Sequence, residues 1–296
     1  MDIVDDISGL HAREGTSDPF CVLAQPTDQE LIEATGTTLS LPEDSSSEAA
    51  RTHLHPQAHV DGERVFVLAF VAQDVANPVP VRLFAAKAGL LVIAVDTALD
   101  IVRRAVSPIH GDGQDALAAV LLGLARATGE ALDDQADEVR DVAARAMGFS
   151  SAPERSELSD MRASLFVVRQ LCAAEQYLLG PDEDLVRSLP KTTTRPLRQA
   201  RAAFGDAEAT AARTYALAGD VLDEQSALVN ERLTLVATIF LPLTLGTSFF
   251  GMNFGWMTDR IGTAAAFVAL GVVFPVVLTV TTLILVRRLT GDGTRR

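Results

Sequence analysis

The stretch Leu233-Thr234-Leu235-Val236-Ala237-Thr238-Ile239-Phe240-Leu241-Pro242-Leu243-Thr244-Leu245-Gly246-Thr247-Ser248-Phe249-Phe250, followed by Gly251-Met252-Asn253, decides the fold. No side chain from Leu233 to Phe250 is charged, and none is charged in a second run, Ile261 to Val286. As a helix, each run is long enough to cross a hydrocarbon core of about 30 Å. The segment between them, Gly251 to Arg260, is too short to be a domain. The two runs therefore read as a hairpin of spans with a tight turn at one membrane face. That turn carries an Asn that a simple hairpin does not need.

The chain before the hairpin begins Met1-Asp2-Ile3-Val4-Asp5-Asp6, acidic and with no apolar run after it, which is not the pattern of a secretory signal. The simplest topology keeps the residues before the first span in the cytoplasm, and the hairpin returns the C-terminus there. Arg287, Arg288, Arg295 and Arg296, against the single Asp292, agree with a cytoplasmic tail. The expected location is thus the cell (inner) membrane, multi-pass, with both termini cytoplasmic. Formal net charge is −14, and since the tail is basic and Asp259 cancels Arg260, residues 1–258 carry −17. Such an acidic body argues against nucleic acid and anionic lipid as partners. It suits cations, although a solvated surface explains the charge as well. Cys21 and Cys172 lie far apart with no metal spacing and read as reduced, buried small side chains.

Residues 1–115 read as a cytoplasmic α/β domain. Phe20–Leu23, Val65–Val71, Val79–Phe84 and Leu90–Val95 have the β-branched and apolar character of strands in a mixed sheet. Asp28–Thr35 reads as a short helix with Thr27 as N-cap and Glu30 completing a capping box. Asp96-Thr97 opens another helix through Arg104. Residues 116–192 turn to Ala, Leu, Glu, Asp and Arg with apolar spacing of three and four. They predict antiparallel cytoplasmic helices over Ala116–Thr128, Glu130–Met147 and Glu157–Leu179. From about Thr194 to Phe250 nothing resembles a loop. Residues 193–250 are expected to form one stalk helix that continues into the first span, roughly 80 Å long at 1.5 Å per residue. Residues 251–260 are then an external loop, 261–286 the second span and 287–296 the basic tail.

Helical pitch sorts the first span into faces. At about 100° per residue, Asn230, Thr234, Ala237, Leu241, Thr244 and Ser248 fall within about 40° of one line. A lipid-facing helix has no use for such a stripe of small and hydroxyl residues. It fits either close helix–helix packing or the wall of a water-filled pore, and pitch alone does not choose. Pro242 is tolerated where neighbours or Thr hydroxyls compensate. The second run has no such stripe and reads as an outer, lipid-facing helix.

The segments Ala237-Thr238-Ile239-Phe240-Leu241-Pro242-Leu243-Thr244 and Phe250-Gly251-Met252-Asn253-Phe254 resemble the CorA family of divalent-cation transporters. The order of parts, from α/β domain to basic tail, resembles it too. The resemblance implies a funnel-shaped homopentamer in the lipid bilayer, with the first spans lining a central pore. It implies Mg²⁺ as the usual substrate, with Co²⁺ and Ni²⁺ also passed, and no enzymatic activity. Carried onto this chain, Gly251, Met252 and Asn253 form a selectivity ring at the external mouth. The Asn253 carbonyls would bind a hydrated ion without stripping its water. Met252 is assigned no ion contact. Leu233 and Leu241 form the narrow part, with Asn230 at its cytoplasmic end. Mg²⁺ held by acidic residues between subunits would shut the channel, and Asp96 and Asp100 are the candidates for that regulatory site. A helix cap for Asp96 and a solvated surface for Asp100 explain them equally well.

The chain departs from the family pattern in two places. Phe250 stands where the family often has Tyr, and Met257-Thr258-Asp259-Arg260 where a Met-Pro-Glu-Leu is frequent. Arg260 offsets Asp259, which weakens cation capture at the mouth. Zinc-transporting relatives (ZntB) vary the residue between Gly and Asn, so Met252 favours the magnesium branch. Transport of Zn²⁺ or of another transition metal such as Ni²⁺ or Co²⁺, proton-coupled uptake, and a poorly conducting membrane-anchored regulator remain rival readings. His53, His55 and His59 read as exposed loop histidines, since Pro56 and the lack of Cys or acidic neighbours argue against a metal site. Gly111-Asp112-Gly113 reads as a turn, and Phe249, Phe250, Phe254 and Trp256 as an interfacial belt, with packing at the pore mouth as the alternative.

Overall fold

The computed structural model describes residues 1–11, 13, 18–41, 55–146, 152–251, 263, 265 and 268–291. These form two compact units, Met1–Leu222 and Asp223–Arg296.

The first unit is built on a six-stranded mixed sheet in the order β1-β2-β6-β5-β4-β3. The strands are β1 (Asp2–Val4), β2 (Phe20–Ala24), β3 (Gln57–Asp61), β4 (Arg64–Val71), β5 (Val79–Ala86) and β6 (Gly89–Ile93). The β1–β2 and β2–β6 pairs are parallel, and the other three are antiparallel. Side chains alternate across a strand, and the two faces of the sheet accordingly feed two cores. Cys21, Leu23, Val65, Val67, Ala69, Val71, Leu90 and Val92 belong to the larger core, with helices α3 (Asp96–Val106) and α4 (Gly113–Ala146). Phe20, Val22, Leu91 and Ile93 belong to the other, with α1 (Ile7–His11) and α2 (Gln29–Thr38).

Helices α5 (Ala152–Leu178), α6 (Asp184–Ser188) and α7 (Thr194–Gly251) follow, with a 3₁₀ turn at Lys191–Thr193. The second unit holds the rest of α7 and α8 (Phe274–Gly291), which is entered through a π-helical segment, Ala269–Val273. Pro275 lacks an N–H and its ring crowds the preceding turn, which accounts for wider helical winding just before it.

Several sequence expectations are corrected. The predicted helices Ala116–Thr128 and Glu130–Met147 are a single α4 running through Gly129 to Ala146. One glycine costs about 1 kcal/mol, too little to break a helix rich in Ala and Leu that is packed on a sheet. Helix α5 starts at Ala152 rather than Glu157, with Pro153 in its first turn, where a missing N–H costs nothing. Asp28, not Thr27, is the N-cap residue of α2, and its side chain makes no cap bond; its Oδ2 instead accepts from the Gln25 N–H at 2.9 Å. His59 lies on β3, paired with Phe66 of β4, and not in a loop; His53 is outside the described residues. Asp112 turns its Oδ1 to the Gln114 and Asp115 N–H groups, both at 2.9 Å, so Gly111-Asp112-Gly113 is the capped entry to α4.

Candidate transport site

Helix α7 runs unbroken from Thr194 to Gly251 with Pro242 inside it. It is the one described helix long and apolar enough to cross a membrane; Gly271–Thr282 is a shorter apolar stretch. The beginning of the expected second span, Ile261 to Phe267, lies largely outside the described residues.

Within the second unit, α7 has a seam and an open face. Gly246 is buried, and a Cβ on it would come within 2.9 Å of the Pro275 ring. Leu235, Pro242 and Leu243 are half-buried around it. By pitch this seam lies about 160° round the helix from Asn230. All six residues of the polar stripe, Asn230, Thr234, Ala237, Leu241, Thr244 and Ser248, are exposed, as is Leu233 at 62%. The stripe therefore does not serve packing between α7 and α8 of one chain. It is left for water, lipid or other copies.

The hydroxyls on this span have a defined polarity. Thr234 Oγ1 donates to the Asn230 carbonyl at 2.9 Å, Thr238 Oγ1 to the Thr234 carbonyl at 2.7 Å, and Thr247 Oγ1 to the Leu243 carbonyl at 3.0 Å. These three hydroxyl hydrogens are thus committed to the helix, and each oxygen retains lone pairs as acceptors; of the three, Thr234 lies on the stripe. Acceptors are what the waters around a hydrated cation require, because those waters turn their hydrogens outward. Gly251 ends α7. Met252, Asn253, Phe254, Trp256 and Thr258-Asp259-Arg260 lie outside the described residues.

Asp96 and Asp100 sit one turn apart on α3, both exposed. The cap reading of Asp96 fails: Val95 is the N-cap residue, and Asp96 is the first helical residue. Its Oδ1 accepts from Gln25 Nε2 at 2.6 Å. Two exposed carboxylates suit an ion that keeps several of its waters. Among the described residues of one chain, however, no group of three or more His, Cys, Asp or Glu could hold a metal.

Sequence reasoning missed one ionisable group in the first unit. Glu175 of α5 is buried, and its Oε1 accepts from the backbone N–H of Phe70 at 2.6 Å. The partner of β4 on that side, β3, ends opposite Leu68, so the carboxyl takes over where the ladder stops. Burial pushes its pKa up to about 8, partly offset by that hydrogen bond. Burial also pushes the Cys21 thiol up to about 12, and Cys172 is raised too, first by burial and then by Glu175 and Glu208. Both cysteines are free, buried and unreactive.

A mixed sheet between helices is thus followed by a helix that continues into a long apolar segment. The model of the CorA-like Mg²⁺ transporter proteins matches residues 22–288, and the chain belongs to that family of divalent-cation transporters. Among solved structures, the CorA magnesium transporter from Methanocaldococcus jannaschii is similar with a TM-score of 0.63 at 15% identity, over 90% of each chain. Full-length CmaX is similar with a TM-score of 0.61 at 12% identity, over 91% of this chain and 88% of that one. The ZntB cytoplasmic domain from Vibrio parahaemolyticus RIMD 2210633 has a TM-score of 0.55 at 13% identity, over 71% of this chain and 88% of that one. At these identities the likeness concerns the fold. No curated protein sequence matches significantly.

Proposed function

We propose that the chain assembles as a homopentameric channel that admits Mg²⁺, and also Co²⁺ and Ni²⁺, across the cell membrane down the electrochemical gradient. In this reading α7 and the run 261–286 both span the bilayer, the α/β unit and both termini are cytoplasmic, and the stripes of five α7 helices face one axis. The observation that carries the proposal is the stripe itself, exposed on the side of α7 away from the Gly246–Pro275 seam. On it the Thr234 oxygen is an acceptor suited to a hydrated ion, and Leu233 and Leu241 supply apolar constrictions that close by excluding water. Gly251, Met252 and Asn253 form the outer ring, where Asn253 meets the hydrated ion. Asp96 and Asp100, completed by ligands from a neighbouring subunit, hold a cytoplasmic Mg²⁺ that favours the closed state.

The test is Mg²⁺ entry into proteoliposomes. Wild type is expected to conduct and Asn253→Ala to reduce entry by about tenfold or more, the effect of losing one tenfold unit of site affinity. Wild-type entry no greater than that of Asn253→Ala overturns the channel reading and leaves a poorly conducting regulator. The fold shared with ZntB supports Zn²⁺ as a second cargo, and Zn²⁺ entry under an imposed pH gradient decides between the two ions.

A further inference from the structure

The first unit carries a cleft that the transport reading does not use. It has a volume of about 600 Å³ and lies between the C-terminal end of α3, one face of α4 and the entry to α7. Asp115, Ala119, Leu122 and Arg126 line it from α4 at spacings of four, three and four, a single helical face. Gly123 lets α3 approach, since a Cβ there would lie 3.0 Å from that of Ala105. Ala105, Ala119, Leu122 and Pro196 supply apolar lining, while Arg104, His110 and Arg126 supply cationic and donor groups.

The charges in this cleft are unbalanced on a chain of net charge −14. No ion pair or hydrogen bond among the described residues engages Arg126. Arg104 uses only its Nε–H, on the Asp100 carbonyl at 3.3 Å, which leaves its two terminal nitrogens open. The one carboxylate of the lining, Asp115, is already occupied: Oδ1 accepts from Thr192 Oγ1 at 2.7 Å and Oδ2 from the Asp112 N–H at 3.4 Å. His110 uses Nδ1 on the Pro108 carbonyl at 3.0 Å, leaving Nε2 uncommitted. The N-terminus of α4 contributes nothing, because Asp112 caps it.

We infer that this cleft binds an organic phosphate of about mononucleotide size. Guanidinium forks pair with phosphate oxygens in bidentate fashion. The apolar lining accepts a flat organic body, and the volume lies within the roughly 300–1,000 Å³ of small-molecule sites. The inference is independent of which ion the chain transports.

The experiment is calorimetric titration of the detergent-solubilised full chain with ADP, inorganic phosphate and adenosine in Mg²⁺-free buffer. ADP is expected to bind saturably with a Kd below about 1 mM, phosphate to compete more weakly, and adenosine to fail. Arg104→Gln with Arg126→Gln is expected to weaken ADP by about tenfold or more. Both side chains are exposed, so the variant keeps its fold and melts as wild type does. Arg140→Gln, outside the cleft, should bind as wild type. Absence of saturable ADP binding by wild type overturns the inference, as does equal binding by the double variant. So does a double variant that changes oligomeric size while wild type binds no ADP, which would assign the arginines to a second copy's carboxylates.

Discussion

The two units treat the same kinds of side chain in opposite ways. In Met1–Leu222, Leu117, Leu124, Leu132, Leu165 and Phe204 are fully buried. In Asp223–Arg296, Leu233, Phe240, Leu241 and Leu245 are 62–70% exposed. The first unit satisfies the hydrophobic effect within one chain. The second leaves its apolar surface outside, which is stable only where the surroundings are lipid or other copies. A leucine's environment, rather than its identity, therefore decides what its removal does.

The largest expected effect tests this contrast directly. Phe204→Ala removes a side chain with no exposure and should destabilise the first unit by about 3–5 kcal/mol. Leu241→Ala, at 70% exposure, should leave the unfolding midpoint of the detergent-solubilised chain within about 0.5 kcal/mol of wild type. If the two variants melt alike, the contrast between the units is wrong.

What could be read in the sequence follows the range of the interactions involved. Helix α7 and its stripe were legible because pitch needs only one helix, and β2, β4, β5 and β6 because each carries a run of mostly apolar residues. The strands β1 and β3 and the helix α1 were not, since three to five residues show no period. The seam at Gly246 and Pro275 depends on two elements almost thirty positions apart. Glu175 had no local signal: a glutamate in a helix reads as surface until the end of β3 exposes the Phe70 N–H. The cleft face of α4 has helical spacing, but only packing against α3 and α7 makes it a cavity.

Glu175 separates the first unit from the apolar run of α7 by their response to pH. Its folded pKa, about 8, lies above the ordinary carboxyl value, so the folded state keeps a proton that the unfolded state releases. The contribution of the neutral carboxyl is full below about 4.5 and is lost as pH rises through about 8. Stability of the first unit should fall across that window by on the order of 1 kcal/mol per pH unit. Glu175→Gln keeps an acceptor for Phe70 without the proton. It should flatten the profile and be more stable than wild type at pH 8 by a few kcal/mol. From Leu233 to Gly251, α7 has no side chain that titrates in this range, so that segment gives no such slope. Unfolding curves at pH 5 and pH 8 decide; parallel profiles for the two proteins refute the role given to Glu175.

The seam in the second unit should be less costly to disturb than the core of the first. A Cβ at Gly246 would meet the Pro275 ring at 2.9 Å, and a proline ring has little freedom to move aside. Gly246→Val should therefore cost about 1–3 kcal/mol through overpacking. Thermal unfolding in micelles measures the cost. A neutral result would mean that α7 and α8 do not rely on this close approach.

The smallest effect returns to the first unit and runs in the stabilising direction. Gly129 lies within α4, and a Cβ added there would meet nothing within 4 Å. The helix passes through a residue that lowers its propensity without any gain in packing. Gly129→Ala restricts the unfolded chain and adds helix propensity, for an expected gain of about 0.4–1 kcal/mol. The two glycines make opposite predictions from one geometric difference, an open surface at Gly129 and a proline ring at Gly246. If Gly129→Ala destabilises the chain in chemical denaturation, something not present in the single chain covers that face of α4, and a neighbouring copy becomes the first candidate.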